Sequence, residues 1–292
     1  MKIRIQELLN TFLKKNKKKS KPISTKQNLK QKQVHDPNYS YMNDHKYRNI
    51  LIDELAKIAQ THFSQNFSHF LPPQAGSTSY AEDFFNVYSH RSLVDNSGGS
   101  GFHNSFWLFL FTRAFNPNLI VESGIWKGHT TWLLQQANPN SRIIGFDINM
   151  KQLEFESDKV VYINNDWDNY QFAKFDPENA LVFFDCHVNH AKRILEAHKK
   201  GFKHLIFDDN PPIYKLYSYG NPGFPTANML VNQTFLEINK ISWTWKNQKI
   251  SKFLDIKEAK QASKLIKKHI LFPDVGGPTR YGGFSFLTYI EI

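Results

Sequence analysis

Short apolar runs alternate with helical patterns through the middle of the chain. The apolar, β-rich runs predict strands at 119–122, 143–147, 160–163, 181–185 and 204–208. Apolar residues at helical spacing predict helices between these strands at 130–136 and 191–200, and before them at 45–63, 81–88 and 106–115. Strands that alternate with helices in this way predict an α/β fold, Rossmann-like and doubly wound, with a mostly parallel sheet.

The two ends of the chain follow other patterns. Residues 1–43 are predicted to be a basic tail and linker, and residues 44–292 a single domain in which 44–116 form an N-terminal helical extension. Near the C-terminus a loop rich in Pro, Gly and Tyr at 211–225 precedes a predicted helix at 256–269 and a predicted strand at 284–292.

Composition narrows the class of protein. Hydrophobic residues make up 40% of the 292 residues, which is enough for a substantial core. The single Cys186 excludes a disulfide framework and fits a reducing compartment. No apolar run approaches the ~20 residues that cross a bilayer, and the sequence shows no secretory-signal pattern. The protein is therefore expected to be cytoplasmic.

The net charge of +11 is concentrated near the N-terminus, where residues 14–21 carry six lysines. Such a block is typical of a disordered basic tail. A second interpretation is that residues 1–32 contact an anionic membrane at its inner face, because apolar residues share one helical face before the lysines. Nucleic-acid binding is disfavoured, since no aromatic and basic recognition module accompanies the lysines. The first two interpretations stay open.

A glycine-containing corner follows the first predicted strand. That strand ends in Glu122, and the chain turns through Gly124 and Gly128 into a helix, while Asp147 ends the second strand and Asp166 follows the third. In parallel sheets, ligands bind at the carboxyl ends of the strands, where glycines allow close backbone approach and an acid can accept from ribose hydroxyls. A purely structural strand–turn–helix corner is the alternative.

The spacing Glu-x-Gly-x-x-x-Gly resembles the first motif of class I S-adenosylmethionine-dependent methyltransferases. The resemblance implies an antiparallel strand at the C-terminal edge of the sheet. It also implies that the cofactor is S-adenosylmethionine and that five residues bind it: Glu122, Gly124, Gly128, Asp147 and Asp166.

Polar side chains end the fourth and fifth predicted strands. Asp185 ends the fourth strand, with His187 two residues later, and Asp208, Asp209 and Asn210 end the fifth. Because these strands are neighbours in a doubly wound sheet, their ends should converge. Carboxylate and amide oxygens suit Mg²⁺ or another hard divalent cation.

This second pattern resembles the divalent-metal-dependent O-methyltransferases of the macrocin or sugar type and the cephalosporin-hydroxylase-like group. The resemblance implies Asp185, Asp209 and Asn210 as metal ligands and His187 as the general base, with Asp208 as a ligand in an alternative register. The catechol branch has a lysine where this sequence has Val188, which favours a sugar or polyol hydroxyl as the acceptor.

The sequence thus predicts an S-adenosylmethionine-dependent, Mg-assisted O-methyltransferase acting on a sugar or related small-molecule or glycan acceptor. Two alternatives stay open. The first is a metal-dependent hydroxylase-like protein, in which His187, His190 and Asp185 form a two-His-one-carboxylate site. The second is a non-catalytic protein that binds S-adenosylmethionine.

Overall fold

The computed structural model describes residues 45–69, 77–93, 95–96, 98–236, 238–279 and 284–292. The predicted basic tail at 1–43, with its possible membrane contact through residues 1–32, lies outside these residues.

From residue 45 to residue 207 the strands and helices follow one another in the order that the hydrophobic pattern predicts. The strands are β1 (Leu119–Ser123), β2 (Arg142–Phe146), β3 (Val160–Ile163), β4 (Ala180–Phe184), β5 (His204–Phe207), β6 (Lys240–Trp245), β7 (Gln248–Phe253), β8 (Lys268–Leu271) and β9 (Thr288–Glu291). The helices are α1 (His45–Asn66), α2 (Ser77–Ser89), α3 (Phe102–Phe115), α4 (His129–Ala137), α5 (His190–Lys200), α6 (Ala227–Val231), α7 (Ile256–Leu265) and α8 (Gly276–Thr279).

The main sheet has seven strands in the order β3-β2-β1-β4-β5-β9-β8. Strands β1 to β5 pair in parallel, and β9 is antiparallel to both β5 and β8. The predicted Rossmann-like, mostly parallel fold with an antiparallel C-terminal strand is confirmed. The strand order reverses between β1 and β4, and the crevice at such a switch point is where α/β sheets bind ligands.

Two features near the C-terminus differ from the prediction. The predicted helix at 256–269 ends at Leu265, because residues 268–271 form β8 and pair with β9. Strands β6 and β7 form a separate two-stranded hairpin within a segment for which no strand was predicted. The alternation of Ile241, Trp243 and Trp245 with polar residues is the signal in the sequence that indicates β6.

Each face of the main sheet is covered by helices. Ile120 of β1 belongs to a core that includes residues of α1, α2, α3 and α4. Its neighbour Val121 points the other way, into a core formed with α5, α6 and α7. Burial of both faces explains why the central strands are continuous apolar runs. Within the described segments, every helix is too short or too polar to span a bilayer.

Candidate functional site

A cleft of about 400 Å³ opens at the carboxyl ends of β1, β2 and β4. Its volume falls in the usual range for small-molecule sites. Of the predicted site residues, five line it: Gly124, Asp147, Asp166, Asp185 and His187. Glu122 and Gly128 do not line the cleft. Glu122 instead bonds to threonines of α4, and Gly128 packs closely against Phe155.

Glu122 is completely buried at the end of β1. Its two carboxylate oxygens accept hydrogen bonds from the hydroxyls of Thr130 and Thr131, the latter at 2.5 Å. Burial raises the pKa of Glu122 to about 7, although the two threonine hydrogen bonds oppose the rise. The side chain therefore fastens β1 to the start of α4, and its assignment as a cofactor residue stays a prediction.

Both predicted glycines adopt the left-handed conformation that favours glycine, with φ of +98° at Gly124 and +92° at Gly128. A Cβ on Gly124 would collide with the backbone carbonyl of Asp185. A Cβ on Gly128 would lie 3.0 Å from Phe155. These glycines thus allow close approach between segments of the protein itself, and Gly124 also borders the cleft.

Asp147 supports the loop between β1 and α4. Its Oδ2 accepts hydrogen bonds from the backbone N–H groups of Ile125 (2.9 Å) and Trp126 (3.0 Å), and its Oδ1 accepts one from Asn149 (2.8 Å). A carboxylate has about four acceptor positions, so one remains for a ligand hydroxyl at the cleft.

Asp166 is paired inside the protein. Arg193 donates to both of its oxygens, at 2.7 and 3.0 Å. The same buried guanidinium donates to Cys186 Sγ at 3.3 Å and to Glu196 at 2.8 Å. Arg193 also lines the cleft, and it was missed because nothing in the sequence links it to an acid 27 residues away. It ties the end of β3 to the segment after β4.

The ends of β4 and β5 bring Asp185, His187 and Asp209 together. One ligand atom from each lies within 4.8 Å of the others. His187 Nδ1 is 3.2 Å from Asp209 Oδ2. Both of these residues have positive φ, +53° and +47°, a strained conformation for side-chain-bearing residues that is concentrated at functional sites.

The charges of this group are crowded. Burial, together with the carboxylates of Asp208 and Asp209, raises the pKa of Asp185 well above its ordinary value. The hydrogen bond with Asp209 raises the pKa of His187, against the opposing effect of burial. The predicted convergence of the two strand ends is therefore present, with excess negative charge in the described part of the site.

Asp208 lies beside this group, and its carboxylate is hydrogen-bonded within the protein. Its Oδ1 accepts from Asn104 Nδ2 at 2.7 Å and from the hydroxyl of Ser285, and its Oδ2 is 3.3 Å from Ser100 Oγ. Burial and the charge of Asp209 raise the pKa of Asp208 to about 7. These contacts hold the loops beside β5 and support Asp209 as the carboxylate directed toward Asp185.

Asn210 and His190 are also held inside the protein. The amide of Asn210 donates to Thr288 Oγ1 at 2.8 Å and accepts from the backbone N–H of Asn228 at 2.7 Å. The structure does not bring Asn210 to the Asp185 group, and its role as a ligand stays a prediction. His190 Nδ1 accepts from Ala227 N–H at 3.0 Å, so its Nε2 carries the proton and offers no lone pair to a metal.

A second cavity of about 410 Å³ lies beside the first. Both cavities are lined by Gly98, Gly99, Asp185 and His187. The acid–histidine group, which consists of Asp185, His187 and Asp209, therefore forms part of the wall between them. The second cavity has further polar walls that sequence reasoning missed because they come from loops without a motif: Ser100, Asn104, Ser218, Tyr219 and Ser285.

Neither a protein-family model nor a curated protein matches this sequence. Among solved structures, the chain is similar to an SAH-bound methyltransferase from Podospora anserina, PaMTH1, at 15% identity over 82% of this chain and 95% of that one, with a TM-score of 0.41. It is similar to an O-methyltransferase from Bacillus cereus in complex with SAH at 14% identity, over 82% and 100%, with a TM-score of 0.40.

A third similar structure is the MycE methyltransferase of mycinamycin biosynthesis with Mg, SAH and mycinamycin VI. The identity is 12% over 80% of this chain and 62% of that one, with a TM-score of 0.40. All three are methyltransferases bound to SAH, the class that the sequence motif resembles. At these identities and scores, no substrate and no residue role carries over to this chain.

Proposed function

We propose that this protein transfers a methyl group from S-adenosylmethionine to a hydroxyl oxygen of a sugar or related polyol. The observation that carries the proposal is the position of Asp185 and His187 in the wall shared by two cavities, with Asp209 beside them. One cavity can hold the methyl donor and the other the acceptor, so the two substrates would meet at groups that can remove a proton and neutralise charge.

The first cavity fits a nucleoside-containing donor. Asp147 keeps one acceptor position for a ribose hydroxyl, at the end of the strand where dinucleotide sites place the equivalent acid. Trp126 and Ile148 line the same cleft and are 41% and 78% exposed, which leaves apolar surface for a purine ring to cover.

The side chains of Asp185, His187 and Asp209, beside the first cavity, fit a divalent cation. Asp185 and Asp209 would hold the ion, because two carboxylates with a neighbouring imidazole suit Mg²⁺ or a similar hard cation. The raised pKa of Asp185 supports this fit, since a cation would offset the repulsion from Asp208 and Asp209. Asn210 is left out of this set because its carbonyl already accepts from Asn228 N–H.

His187 is arranged as a general base. When its Nδ1–H donates to Asp209, the lone pair lies on Nε2 and can accept a proton from the acceptor hydroxyl. When bound, S-adenosylmethionine would supply an activated methyl group and the cation would polarise the acceptor oxygen. The chain's contribution is to align the oxygen with the methyl group and to take the proton at Nε2.

The second cavity supports a polyhydroxyl acceptor. Hydroxyl groups of Ser100, Ser218 and Ser285 and the amide of Asn104 line it. The three hydroxyls donate within the protein, Ser100 and Ser285 to Asp208 and Ser218 to the carbonyl of Lys215. Their oxygens can still accept hydrogen bonds from the hydroxyls of a sugar. The hydroxylase-like alternative is less well supported, because His190 does not offer a ligand nitrogen to the predicted two-His-one-carboxylate site.

Calorimetric titration tests the donor assignment. The wild-type protein and an Asp158→Ala control, whose carboxylate is exposed away from the cleft, should both bind S-adenosylmethionine saturably. Asp147→Ala should bind it roughly tenfold more weakly or worse, because it loses one hydrogen bond to the ligand and the backbone hydrogen bonds that hold the β1–α4 loop. Absence of saturable binding by the wild type would overturn the proposal.

Metal dependence separates the catalytic proposal from a non-catalytic binding protein. Methyl transfer from labelled S-adenosylmethionine to a panel of glycosides should occur with Mg²⁺ and stop when a chelator is added. Cofactor binding without transfer to any hydroxyl acceptor would favour the non-catalytic alternative. Transfer that is unaffected by the chelator would show that the metal assignment is wrong.

A further inference from the structure

The second cavity is lined by acidic side chains. Three carboxylates contribute to its wall: Asp185, Asp208 and Asp209. Among the described residues that line it, no lysine or arginine balances them, and His187 is the one basic side chain. The first cavity differs, because Arg193 contributes to its wall. The second cavity therefore presents net negative charge to a molecule that enters it, and such a cleft attracts cations.

A bound Mg²⁺ would not use up this charge. In the proposed function the ion pairs with Asp185 and Asp209, so its two positive charges offset those two carboxylates. Asp208 remains, and four donors within the protein hydrogen-bond to it and favour its charged form. His187 adds no charge in the neutral form that a general base requires. The cavity thus still suits a cationic group beside the metal.

The hydroxyl protons of the cavity wall are already used inside the protein. Its three serine hydroxyls donate within the protein, and the hydroxyl of Tyr219 donates to the carbonyl of Phe284 at 3.1 Å. These oxygens keep lone pairs for a ligand but no proton. Together with the carboxylates they make the described part of the wall mainly a set of acceptors, and a ligand that matches it is rich in donors.

Asn104 adds an acceptor that lacks a partner. Its Nδ2 donates to Asp208 at 2.7 Å, and this contact fixes the orientation of the amide, because an ionised carboxylate accepts and does not donate. Its Oδ1 has no hydrogen-bond partner among the described residues, although only 2% of the residue is exposed. Leaving a buried acceptor unpaired costs free energy, so Asn104, a residue of the cavity wall, is suited to accept from a ligand.

We propose that the molecule entering the second cavity carries a protonated amino group, which donates a hydrogen bond to Asn104 Oδ1. The inference rests on the proposed function: the methyl acceptor is then an amino sugar or a related amino polyol, and Asn104 is a specificity-determining residue. An ammonium group offers three donors and a positive charge, whereas a hydroxyl offers one donor and no charge. The amino group therefore matches both the acceptors and the charge of the wall, and its charge-assisted hydrogen bonds are the stronger ones.

Calorimetric titration of the full chain with simple sugars tests this without S-adenosylmethionine or turnover. D-Glucosamine at neutral pH, where its amino group is largely protonated, is compared with D-glucose and N-acetyl-D-glucosamine, which are uncharged. All titrations contain Mg²⁺. D-Glucosamine should bind saturably and roughly tenfold or more tightly than either neutral sugar. Equal affinities would overturn the proposal. Binding of D-glucosamine only when Mg²⁺ is left out would also overturn it, because the amine would then be replacing the metal.

Two variants test whether this binding lies in the second cavity. Asn104→Leu, which is similar in volume, removes Oδ1 and should abolish the preference for D-glucosamine. Because this buried change can also weaken the fold, Ser218→Lys provides a second measurement. Ser218 is exposed and lines the cavity, so a lysine there should repel the ammonium group and weaken D-glucosamine binding by roughly tenfold.

Tyr217→Lys is the matched control. Tyr217 is 64% exposed and does not line the cavity, so the variant adds the same charge nearby and should leave the affinity for D-glucosamine unchanged. Equal weakening by the two lysine substitutions, or full affinity in Ser218→Lys, would overturn the proposal. Methyl transfer to a neutral glycoside, together with equal binding of D-glucosamine and D-glucose, would leave the proposed function intact and overturn the amino-sugar assignment alone.

Discussion

The glycine corner at 122–131 and the acid–histidine group of Asp185, His187 and Asp209 lie at the same edge of the sheet, yet they use their polar residues differently. In the corner, both oxygens of Glu122 are taken by threonine hydroxyls, and the space beside Gly124 is filled by backbone. In the acid–histidine group, carboxylates lie close together and repel each other. The corner is completed by the protein itself, whereas the acid–histidine group keeps its carboxylates crowded together.

The backbone shows this contrast only in part. The corner has left-handed backbone at Gly124 and Gly128, which adopt it without a steric penalty, and also at Trp126, with φ of +54°. The acid–histidine group places His187 and Asp209 in that region, at a cost of order 1–3 kcal/mol for each strained residue. The strained residues Trp126, His187 and Asp209 all line one of the two cavities, while Gly124 and Gly128 serve packing as well as any cofactor.

The largest expected effect is on turnover, in the acid–histidine group. His187→Ala should lower the turnover number by roughly 10²–10⁴-fold, the range for loss of a positioned general base. Mg²⁺ binding, measured by calorimetry, should stay near normal because both carboxylates remain. His198→Ala, an exposed histidine on α5, is the control and should retain full activity.

The pH dependence of the rate tests whether His187 removes the proton. A base must be neutral to accept a proton, so the wild-type rate should rise as pH passes upward through the pKa of His187, and His187→Ala should lose that rise. If the variant keeps both its rate and its pH profile, another group removes the proton and the contrast between the two regions weakens.

The sequence predicts where the strands end better than it predicts which polar side chains at those ends face the cavities. Asp208, Asp209 and Asn210 are three polar residues in a row, and only Asp209 joins the group with Asp185 and His187. Asp208 and Asn210 are buried and hydrogen-bonded within the protein on either side of a half-exposed Asp209. The left-handed backbone of Asp209 sets its direction, and no sequence pattern reports that turn.

The same distinction holds for the fold. The five parallel strands were predicted because burial on both faces leaves continuous apolar runs. Strand β8 was assigned to a helix, since its short segment gains strand structure only by pairing with β9. The contacts of Arg193 with Asp166 and Cys186 depend on tertiary approach and were beyond prediction.

The next effect is on stability in the corner and tests whether Glu122 is structural. Its folded-state pKa of about 7 lies above the ordinary value of 4.5, so the buried carboxyl favours the protonated form. Its contribution to stability is fully present below pH 4.5 and is lost as pH rises through 7. Above pH 7, Glu122→Gln should therefore be more stable than the wild type by roughly 3 kcal/mol.

Denaturant unfolding at pH 4.5 and pH 8.5 measures this difference, with exposed Glu156→Gln as the control that should show none. Affinity for S-adenosylmethionine should be unchanged in Glu122→Gln, because the side chain lies outside the cleft lining. Loss of affinity for S-adenosylmethionine in a well-folded Glu122→Gln protein would show that Glu122 contributes to cofactor binding. Both regions would then bind ligands through their acidic side chains.

The smallest expected effect compares two costs of replacing a corner glycine, namely its left-handed backbone conformation and the steric clash of an added Cβ. Gly124 and Gly201 both have left-handed backbones, with φ of +98° and +85°, but a Cβ at Gly201 would meet open space whereas one at Gly124 would meet the backbone of Asp185. Both Gly→Ala variants pay about 1–2 kcal/mol for the left-handed conformation. Gly124→Ala should lose a further ~1–3 kcal/mol from overpacking, measured as the difference in free energy of unfolding between the two variants. Equal destabilisation would mean that the β1 corner yields to accommodate a methyl group. In that case the glycine would be needed for its backbone conformation, and the contact with β4 that fixes Asp185 would be looser than the geometry indicates.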